Sequence, residues 1–223
     1  MTEIYSNANF KIIQKAQIFQ LEFTYPSPIL CHSLVKTKLL RAATIVDDYK
    51  QIVFKASSVQ VLNDKKKRMS EVAAMVTTLS VQLKYMIDEL GATFIGFNTE
   101  NVIVIDGDRF VFLDAELINN IGENGSIMIS KPFVDTDFFF SPEMKQVTKL
   151  PTSLHYKTCY FSLGCLLLYS LFGKERFDEG KERYNYKGGY ECKGQNTYNN
   201  TKLHCLISRC LVEDPEKRTI IFI

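Results

Sequence analysis

Residues 70–90 carry the clearest periodic pattern in the chain, because their apolar residues return every three or four positions. That spacing places apolar side chains on one face of a helix, and such a face is normally buried against other elements. Ser70 can accept the first backbone N–H groups of this helix, and Gly91 can end it in the left-handed conformation. We therefore predict one long amphipathic helix whose core face consists of Val72, Met75, Val76, Leu79, Leu83, Met86, Ile87 and Leu90.

The next segment predicts a β-hairpin. Asp106 and Gly107 stand between the β-rich runs VIVI and RFVFL, and an Asp-Gly pair suits a two-residue turn in which both residues have positive φ. Asn101 comes just before the first of these strands, and Asp114 comes at the end of the second. Because a hairpin brings these two ends together, we expect the side chains of Asn101 and Asp114 at the same end of a rigid platform.

Strands are predicted on the N-terminal side of the long helix. Residues 18–25 alternate apolar and polar, which is typical of a half-buried strand, and residues 43–56 read as two strands joined by an Asp-Asp turn. Between them, residues 33–43 predict a short helix capped by Ser33. The polar segment 63–70 is interpreted as a solvated linker, and its basic run leaves a nuclear signal or an anion-binding patch as alternatives.

Helices and irregular segments are predicted after the hairpin. Residues 117–140 read as a loop, and the apolar run 159–172 reads as a buried helix. Residues 177–200 show no clear period. A last amphipathic helix is predicted from the apolar positions Leu203, Leu206, Ile207, Cys210 and Leu211.

Composition and charge restrict the class of protein. With 223 residues, 46% of them hydrophobic, the chain suits one domain or two unequal lobes with a sizeable core. A net charge of +2 is too small to indicate a nucleic-acid or membrane partner. The apolar run 159–172 is too short to span a bilayer, and the first residues, MTEIYSNANFK, predict no secretory signal.

The six cysteines stand at positions 31, 159, 165, 192, 205 and 210 and include no Cys-x-x-Cys pair. Without a secretory signal we expect reduced thiols rather than disulfides. The glycosylation sequons at Asn124 and Asn199 are then chance matches. The expected location is intracellular, in the cytoplasm, with the nucleus as the alternative.

Six motifs, in this order, resemble the larger lobe of protein kinases across residues 70–218. The long helix resembles the one before the catalytic loop, and FNTENVIV resembles the end of that loop, with Asn101 in the place of the Mg²⁺-binding asparagine. Asp114 takes the place of the metal-binding aspartate of the Asp-Phe-Gly turn. The sequence SPE resembles Ala-Pro-Glu, residues 159–172 resemble the buried helix that follows it, and CLVEDPEKR resembles the closing motif that ends at Arg218.

The fold that this resemblance implies is α+β. Residues 1–57 would form a reduced, β-rich small lobe, and residues 58–223 would form a mainly helical large lobe that is shortened at its C-terminal end. The chain resembles a degenerate member of the protein kinase superfamily. Its composition, rich in Ile, Lys, Asn and Tyr, is typical of AT-rich genomes and indicates a viral or parasite protein.

Several departures from the kinase pattern fall at its catalytic positions. Where the family has His-Arg-Asp, this chain has Phe94, Ile95 and Gly96, so the aspartate that orients the substrate hydroxyl is missing. Asn98 stands where the family has a lysine near the transferred phosphate. Cys159 stands where an aspartate holds the backbone of the catalytic loop, which predicts that this support is lost as well.

The N-terminal side departs further from the family. The chain has no glycine before Gly91, so it lacks the Gly-rich loop that covers the ATP phosphates in kinases. Lys11 and Lys15 lie in strand-like sequence, but neither follows the pattern of the phosphate-binding lysine. No glutamate stands between residues 33 and 45 to pair with either lysine.

The resemblance implies no catalytic residue, because Gly96 occupies the position of the base. It leaves Asn101 and Asp114 as a degenerate cofactor-binding and metal-binding pair, which would hold one Mg²⁺ through side-chain oxygens. Glu143 and Arg218 correspond to a buried ion pair with a structural role. The expected cofactor is therefore none, with residual ATP and Mg²⁺ as the alternative.

These residues predict a pseudokinase, a catalytically inactive kinase-like domain that acts by binding a protein partner. The partner would be a host or cognate kinase or a kinase substrate, and neither nucleic acid nor membrane is implied. The alternative is a weak ATP- and Mg²⁺-dependent phosphotransferase that uses Asn101, Asp114 and a substitute base such as Glu100 or Glu116. A third class is a plain structural protein.

Overall fold

The computed structural model describes residues 2–132, 139–174 and 201–220. Its strands are β1 (Thr2–Ser6), β2 (Phe10–Lys15), β3 (Ile18–Phe23), β4 (Arg41–Val46), β5 (Gln51–Lys55), β6 (Val59–Val61), β7 (Ala92–Phe94), β8 (Val102–Ile105), β9 (Arg109–Phe112), β10 (Ile118–Asn120), β11 (Ser126–Ile129) and β12 (Thr152–His155). Its helices are α1 (Pro28–Lys36), α2 (Met69–Leu90), α3 (Pro142–Lys145), α4 (Thr158–Phe172) and α5 (Lys202–Cys210), with 3₁₀ turns at Glu123–Gly125 and Pro215–Lys217. The predicted irregular stretch 177–200, with Cys192 and Asn199, lies outside the described residues.

The N-terminal part is a five-stranded antiparallel sheet in the order β1-β2-β3-β5-β4. The predicted alternation is confirmed in β3, where Phe19, Leu21 and Phe23 are buried. The predicted Asp-Asp turn is also confirmed, since it joins β4 to β5 with positive φ at Asp47 and Asp48. The buried face of this sheet belongs to the same hydrophobic core as the rest of the described chain.

The helix predicted at 33–43 lies closer to the N-terminus, at Pro28–Lys36, and the prediction of Ser33 as its cap is wrong. Pro28 occupies the first helical position, where an N–H is not needed and the fixed φ of proline already suits a helix. Ser33 is buried inside the helix, where its hydroxyl donates to the Leu30 carbonyl at 2.8 Å. The proline signal for a helix start therefore outweighs the capping signal of the serine.

The long predicted helix is confirmed as α2, and six of its eight predicted core residues are buried. It begins one residue before Ser70, so the prediction of Ser70 as its cap is wrong. The start is held instead by the Arg68 N–H, which donates to Glu71 Oε2 at 2.9 Å. Gly91 ends the helix as predicted, with a left-handed φ of 59°.

α2 also supports the hairpin β8–β9, whose predicted Asp106-Gly107 turn is confirmed by positive φ at both residues. β9 lies at one side of the three-stranded sheet β6-β8-β9, and two side chains of α2 pair with its backbone. Thr78 Oγ1 accepts the N–H of Phe110 at 3.0 Å, and the Gln82 carboxamide bonds both the N–H and the C=O of Phe112, at 3.0 and 2.9 Å. Thr78 and Gln82 are four residues apart, a rise of about 6 Å along a helix. Phe110 and Phe112 are two residues apart, a rise of about 6.6 Å along a strand, so the two spacings match.

The prediction of a mainly helical large lobe is wrong. Among the described residues, twelve strands form four small sheets, and seven of these strands, β6 to β12, follow residue 58. The predicted loop 117–140 contains β10 and β11, which pair with β7 and β12. These strands have three or four residues each, too few to show an alternation in the sequence. The architecture is therefore a strand-rich α+β fold, and the division of the chain at residue 57 stays a prediction.

The two predicted helices near the C-terminus are confirmed as α4 and α5. All residues of α4 except Tyr160 are buried, and α5 turns its predicted apolar positions into the core. A Cβ on Gly164 would lie 3.0 Å from Cys210 Cβ, so the glycine allows α4 and α5 to approach closely. Five cysteines among the described residues are free thiols. No helix in that part of the chain has both the length and the apolar character needed to cross a bilayer.

Candidate functional site

Asn101 and Asp114 lie side by side at one end of the β8–β9 hairpin. Asn101 immediately precedes β8, and Asp114 lies two residues after β9. The N–H of Leu113 donates to the Asn101 carbonyl at 2.8 Å, which extends the ladder of the hairpin to the pair. Asn101 Nδ2 donates to Asp114 Oδ2 at 2.7 Å, and the two residues are only 4% and 2% exposed. The structure thus brings together the two polar residues that the hairpin pattern places at one end.

A third residue, Asn7, reaches this pair from the turn between β1 and β2. Its Nδ2 donates to Asn101 Oδ1 at 2.8 Å, while its Oδ1 accepts the N–H groups of Asn9 and Phe10 at 2.9 and 3.0 Å. Because Asn7 Oδ1 must face these two donors, the NH₂ group of the same side chain must face Asn101. The Asn101 side chain is oriented in the same way, with Oδ1 toward Asn7 and Nδ2 toward Asp114. The three side chains form one directed hydrogen-bond chain.

Sequence reasoning missed Asn7. It lies 94 positions from Asn101, in a turn whose sequence SNAN marks only a loop. An asparagine in such a turn favours hydrogen bonds to its own backbone two or three residues on, which is a local signal and names no distant partner. Tyr5, at the end of β1, adds a second contact between the same segments, because its hydroxyl donates to the Glu100 carbonyl at 3.4 Å.

Burial raises the pKa of Asp114 to about 6, from an ordinary value of 3.8. The negative charge of Glu116 acts in the same direction. Hydrogen bonds from the N–H groups of Glu116 and Leu117 and from Asn101 lower the pKa but do not offset the loss of hydration. Asp114 is therefore ionised at neutral pH, in surroundings that favour its protonated form.

As arranged, the pair does not fit the Mg²⁺ ion that the kinase resemblance implies. Mg²⁺ needs near-octahedral oxygen ligands and keeps several of its waters. Asn101 Oδ1 already accepts a hydrogen bond from Asn7, and both Asp114 oxygens accept hydrogen bonds, from Asn101 and Glu116. The 4% and 2% exposure of Asn101 and Asp114 leaves almost no surface for metal-bound water. Among residues 2–132, 139–174 and 201–220, no three His, Cys, Asp or Glu side chains cluster as a metal site.

Gly96 occupies the position that the kinase resemblance assigns to the base. Gly96 is buried, and its sequence neighbours Phe94 and Phe97 form an aromatic cluster with Phe112, with ring centroids 4.8 to 5.7 Å apart. A Cβ on Gly96 would make only ordinary contacts, the nearest at 3.5 Å from Ser162 Oγ. Lack of space for a Cβ therefore does not explain the glycine.

Of the other residues weighed for phosphate transfer, only Asn98 bonds to the Asn101–Asp114 pair through its side chain. Glu100 and Glu116 are exposed. Lys11 and Lys15 are exposed on β2, and no hydrogen bond or ion pair joins them to Asn101 or Asp114. Asn98 has a structural role, since its Oδ1 accepts the Asn101 N–H at 2.9 Å and closes the turn before β8.

The loop around Gly96 is still held to α4, so the expectation drawn from Cys159 is wrong. The Ser162 hydroxyl oxygen accepts the Phe97 N–H at 2.7 Å, and both residues are buried. Cys159 bonds instead to the Thr93 hydroxyl at 3.1 Å. Burial raises the pKa of Cys159 to about 12, which keeps its thiol neutral. A serine hydroxyl three positions further along α4 therefore provides the support that a charged aspartate was expected to give.

Ser162→Ala is expected to lower the free energy of unfolding by about 1–3 kcal/mol, because the buried Phe97 N–H would lose its acceptor. Urea unfolding followed by circular dichroism measures this difference. Ser153→Ala, at an exposed position of β12, is the matched control and should change the free energy by less than about 0.5 kcal/mol. Equal stability of Ser162→Ala and the wild type would show that the hydroxyl is not the support.

Glu143 and Arg218 form a buried ion pair between α3 and the last 3₁₀ turn. Arg218 Nη1 and Nη2 donate to Glu143 Oε1 and Oε2 at 2.5 and 2.8 Å, and Arg218 is 0% exposed. Arg218 also donates to the carbonyls of Val212 and Glu213 at 2.7 and 2.8 Å. Burial raises the pKa of Glu143, but the hydrogen bonds from Arg218 and Thr158 outweigh it and hold that pKa below its ordinary value.

The hydrogen-bond chain through Asn7, Asn101 and Asp114 joins the first sheet to the hairpin. Both carboxamide oxygens and both carboxylate oxygens accept a hydrogen bond from the protein. In this arrangement the three side chains bond to one another and to nearby backbone N–H groups. In comparisons with known proteins, no family model matches the chain, and no curated protein matches it significantly.

Proposed function

We propose that this chain is a catalytically inactive relative of protein kinases, a pseudokinase, that acts by binding a protein partner. Support comes from the order of its kinase-like motifs and from the geometry of the site that these motifs mark. The proposal does not depend on a mainly helical large lobe, which the described residues contradict. The partner class is a kinase, of the host or cognate, or a kinase substrate.

The observation that carries the proposal is the hydrogen-bond chain through Asn7, Asn101 and Asp114. A metal ion on Asn101 Oδ1 would have to share that oxygen with the Asn7 Nδ2 group, which lies 2.8 Å from it, or displace that group. A hydrogen bond broken in this buried network without a replacement partner would cost about 1–3 kcal/mol. An ionised Asp114 without a bound cation would also repel a phosphate. The site thus favours the closed arrangement over nucleotide binding.

The alternative, a weak ATP- and Mg²⁺-dependent phosphotransferase, is favoured by one observation. The side chains of Asn101 and Asp114 lie in contact, with Asn101 Nδ2 2.7 Å from Asp114 Oδ2. Two residues that bind the same metal ion in a kinase-like site would also have to lie close together. This activity would require displacement of Asn7 and an exposed glutamate, Glu100 or Glu116, acting as base. Loss of a general base lowers a rate by about 10²–10⁴-fold, so a weak transfer would be measurable.

Thermal unfolding with and without millimolar ATP and Mg²⁺ tests nucleotide binding. We expect no shift in Tm for the wild type, whereas a ligand at a hundred times its Kd would add about 2.7 kcal/mol. Gly96→Asp restores a carboxylate at the base position while Asn7 still closes the site, so it is expected to transfer no labelled phosphate. A wild-type shift that Asp114→Ala abolishes would contradict the proposal and favour the phosphotransferase.

Partner binding requires a separate measurement. Chemical cross-linking of the tagged chain in its cells of origin, followed by mass spectrometry, should identify a protein partner and the cross-linked positions. The cross-linked partner should carry no phosphate that depends on this chain. A chain that binds neither nucleotide nor a protein would be a structural protein, and the proposal would be wrong.

A further inference from the structure

The basic segment Lys65–Arg68 is anchored to the C-terminal end of α4. The Tyr169 hydroxyl donates to Asp64 Oδ1 at 2.7 Å. The N–H of Lys67 donates to the Ser170 carbonyl at 2.7 Å, which satisfies one of the last carbonyls of α4. The interpretation of this stretch as a solvated linker is therefore incomplete, since its backbone is held against a buried helix.

Asn63 orders the same segment from its other end. Its Oδ1 accepts the Lys67 ammonium at 2.7 Å and the Lys65 N–H at 3.3 Å. Arg68 then leads directly into α2 through its bond to Glu71. The backbone of the segment and the Lys67 and Arg68 side chains are thus held in place before any ligand binds, which reduces the entropy that binding would cost.

The positive charge of the segment remains open to solvent. Lys65 and Lys66 are exposed, and neither forms an ion pair with a described residue. The neighbouring carboxylate of Asp64 accepts a hydrogen bond from Tyr169. The Arg68 side chain pairs with Glu71 at 3.1 Å but is still 83% exposed. The positive end of the α2 dipole adds to the field at this point.

We propose that Lys65, Lys66 and Arg68 form a docking site for an acidic segment of the protein partner, an inference that rests on the proposed partner-binding function. Four residues span at most about 14 Å, a length that matches a few carboxylates rather than a long phosphate backbone. The net charge of +2 also gives no general attraction for nucleic acid. Met69, 41% exposed beside the segment, adds an apolar contact of the kind that protein interfaces favour.

Fluorescence anisotropy of a fluorescein-labelled poly-glutamate peptide, titrated with the full chain, tests this site. Binding should weaken with salt, because the screening length falls from about 10 Å at 0.1 M to about 3 Å at 1 M. The double variant Lys65→Gln with Lys66→Gln should raise Kd about tenfold, or about 1.4 kcal/mol. Lys11→Gln with Lys15→Gln removes the same charge from exposed positions on β2 and should leave Kd unchanged.

Tyr169→Phe separates an ordered site from a plain run of charge. The substitution removes the hydroxyl that holds Asp64 and keeps the aromatic ring and all four basic side chains. We expect Kd to rise about threefold, because the segment must then be ordered on binding and the released carboxylate competes for the lysines. An unchanged Kd for Tyr169→Phe, or an equal loss in both double variants, would overturn the proposal.

Phosphatidylserine vesicles and duplex DNA decide the class of partner. Tighter binding to either probe than to the peptide, reduced by the Lys65→Gln and Lys66→Gln double variant, would overturn the assignment to a protein. The cross-linking measurement separates this proposal from the proposed function. A protein partner whose cross-links all lie far from Lys65–Arg68 would keep the proposed function and overturn only the docking site.

Discussion

Arg218→Ala is expected to lower the free energy of unfolding by about 3–5 kcal/mol, because it leaves the Glu143 carboxylate without its cation. The guanidinium is 0% exposed, so water does not replace it in the folded protein. The carbonyls of Val212 and Glu213 would lose their donors as well. Since a domain is stable by only about 5–15 kcal/mol, this loss is a large part of the total.

Urea unfolding measures the effect, and the neighbouring residue supplies the control. The Lys217 ammonium pairs with Asp214 at 3.1 Å on the surface, where the lysine side chain is 76% exposed. Lys217→Ala should therefore cost less than about 1 kcal/mol. If both variants unfolded at the wild-type urea concentration, the buried pair would contribute nothing measurable to stability.

The same pair predicts a loss of stability in acid. Glu143 has a pKa below its ordinary value of 4.5 in the folded state, so the unfolded state binds the proton more tightly. The contribution of Glu143 to the free energy of unfolding is complete at neutral pH. It is lost as the pH falls below 4.5 and through the lower pKa of the folded state. In Arg218→Ala this part of the acid dependence should disappear, because the main partner that lowers the pKa is gone.

Asp114→Asn is expected to gain stability relative to the wild type by up to about 3 kcal/mol between pH 4 and pH 8. The sign follows from the pKa of Asp114, which is about 6 in the folded state against an ordinary 3.8. The folded state therefore holds the proton more tightly. The favourable contribution of Asp114 to the free energy of unfolding is complete below about pH 4. It is lost as the pH rises through the folded-state pKa of about 6. The asparagine does not ionise, so the variant escapes this loss.

Unfolding in urea at a series of pH values between 4 and 8 measures the difference. The absolute stability of Asp114→Asn also reflects a changed hydrogen bond to Asn101, so only its change with pH is diagnostic. A constant difference between Asp114→Asn and the wild type across this range would contradict the raised pKa.

Features with a local physical cause could be predicted from the sequence. The helical period of α2, the alternation of β3 and the Asp-Gly turn each depend on residues within a few positions of one another. The meeting of Asn101 and Asp114 followed from the hairpin alone, because the turn sets the register of the strands that carry them. The pairing of Glu143 with Arg218 was implied only by the kinase resemblance, since 75 positions separate the two residues.

The remaining features lacked such a local cause. Strands β10 and β11 are three and four residues long, so their pairing with β7 and β12 leaves no period in the sequence. The kinase resemblance implied a helical lobe here, and no period in the sequence indicated these strands. The support of the loop by Ser162 was not predicted, because the kinase pattern has its charged residue three positions earlier, at Cys159.

By itself, the sequence determined the elements whose pattern repeats along the chain and the turn that brings Asn101 and Asp114 together. Only the tertiary structure decided that the site is closed. Asn7 reaches Asn101 across 94 positions, and Ser162 reaches Phe97 across 65. The physical reason is that a hydrogen bond depends on the positions of two atoms in space, while a lone asparagine or serine in a sequence is equally compatible with many partners or with water.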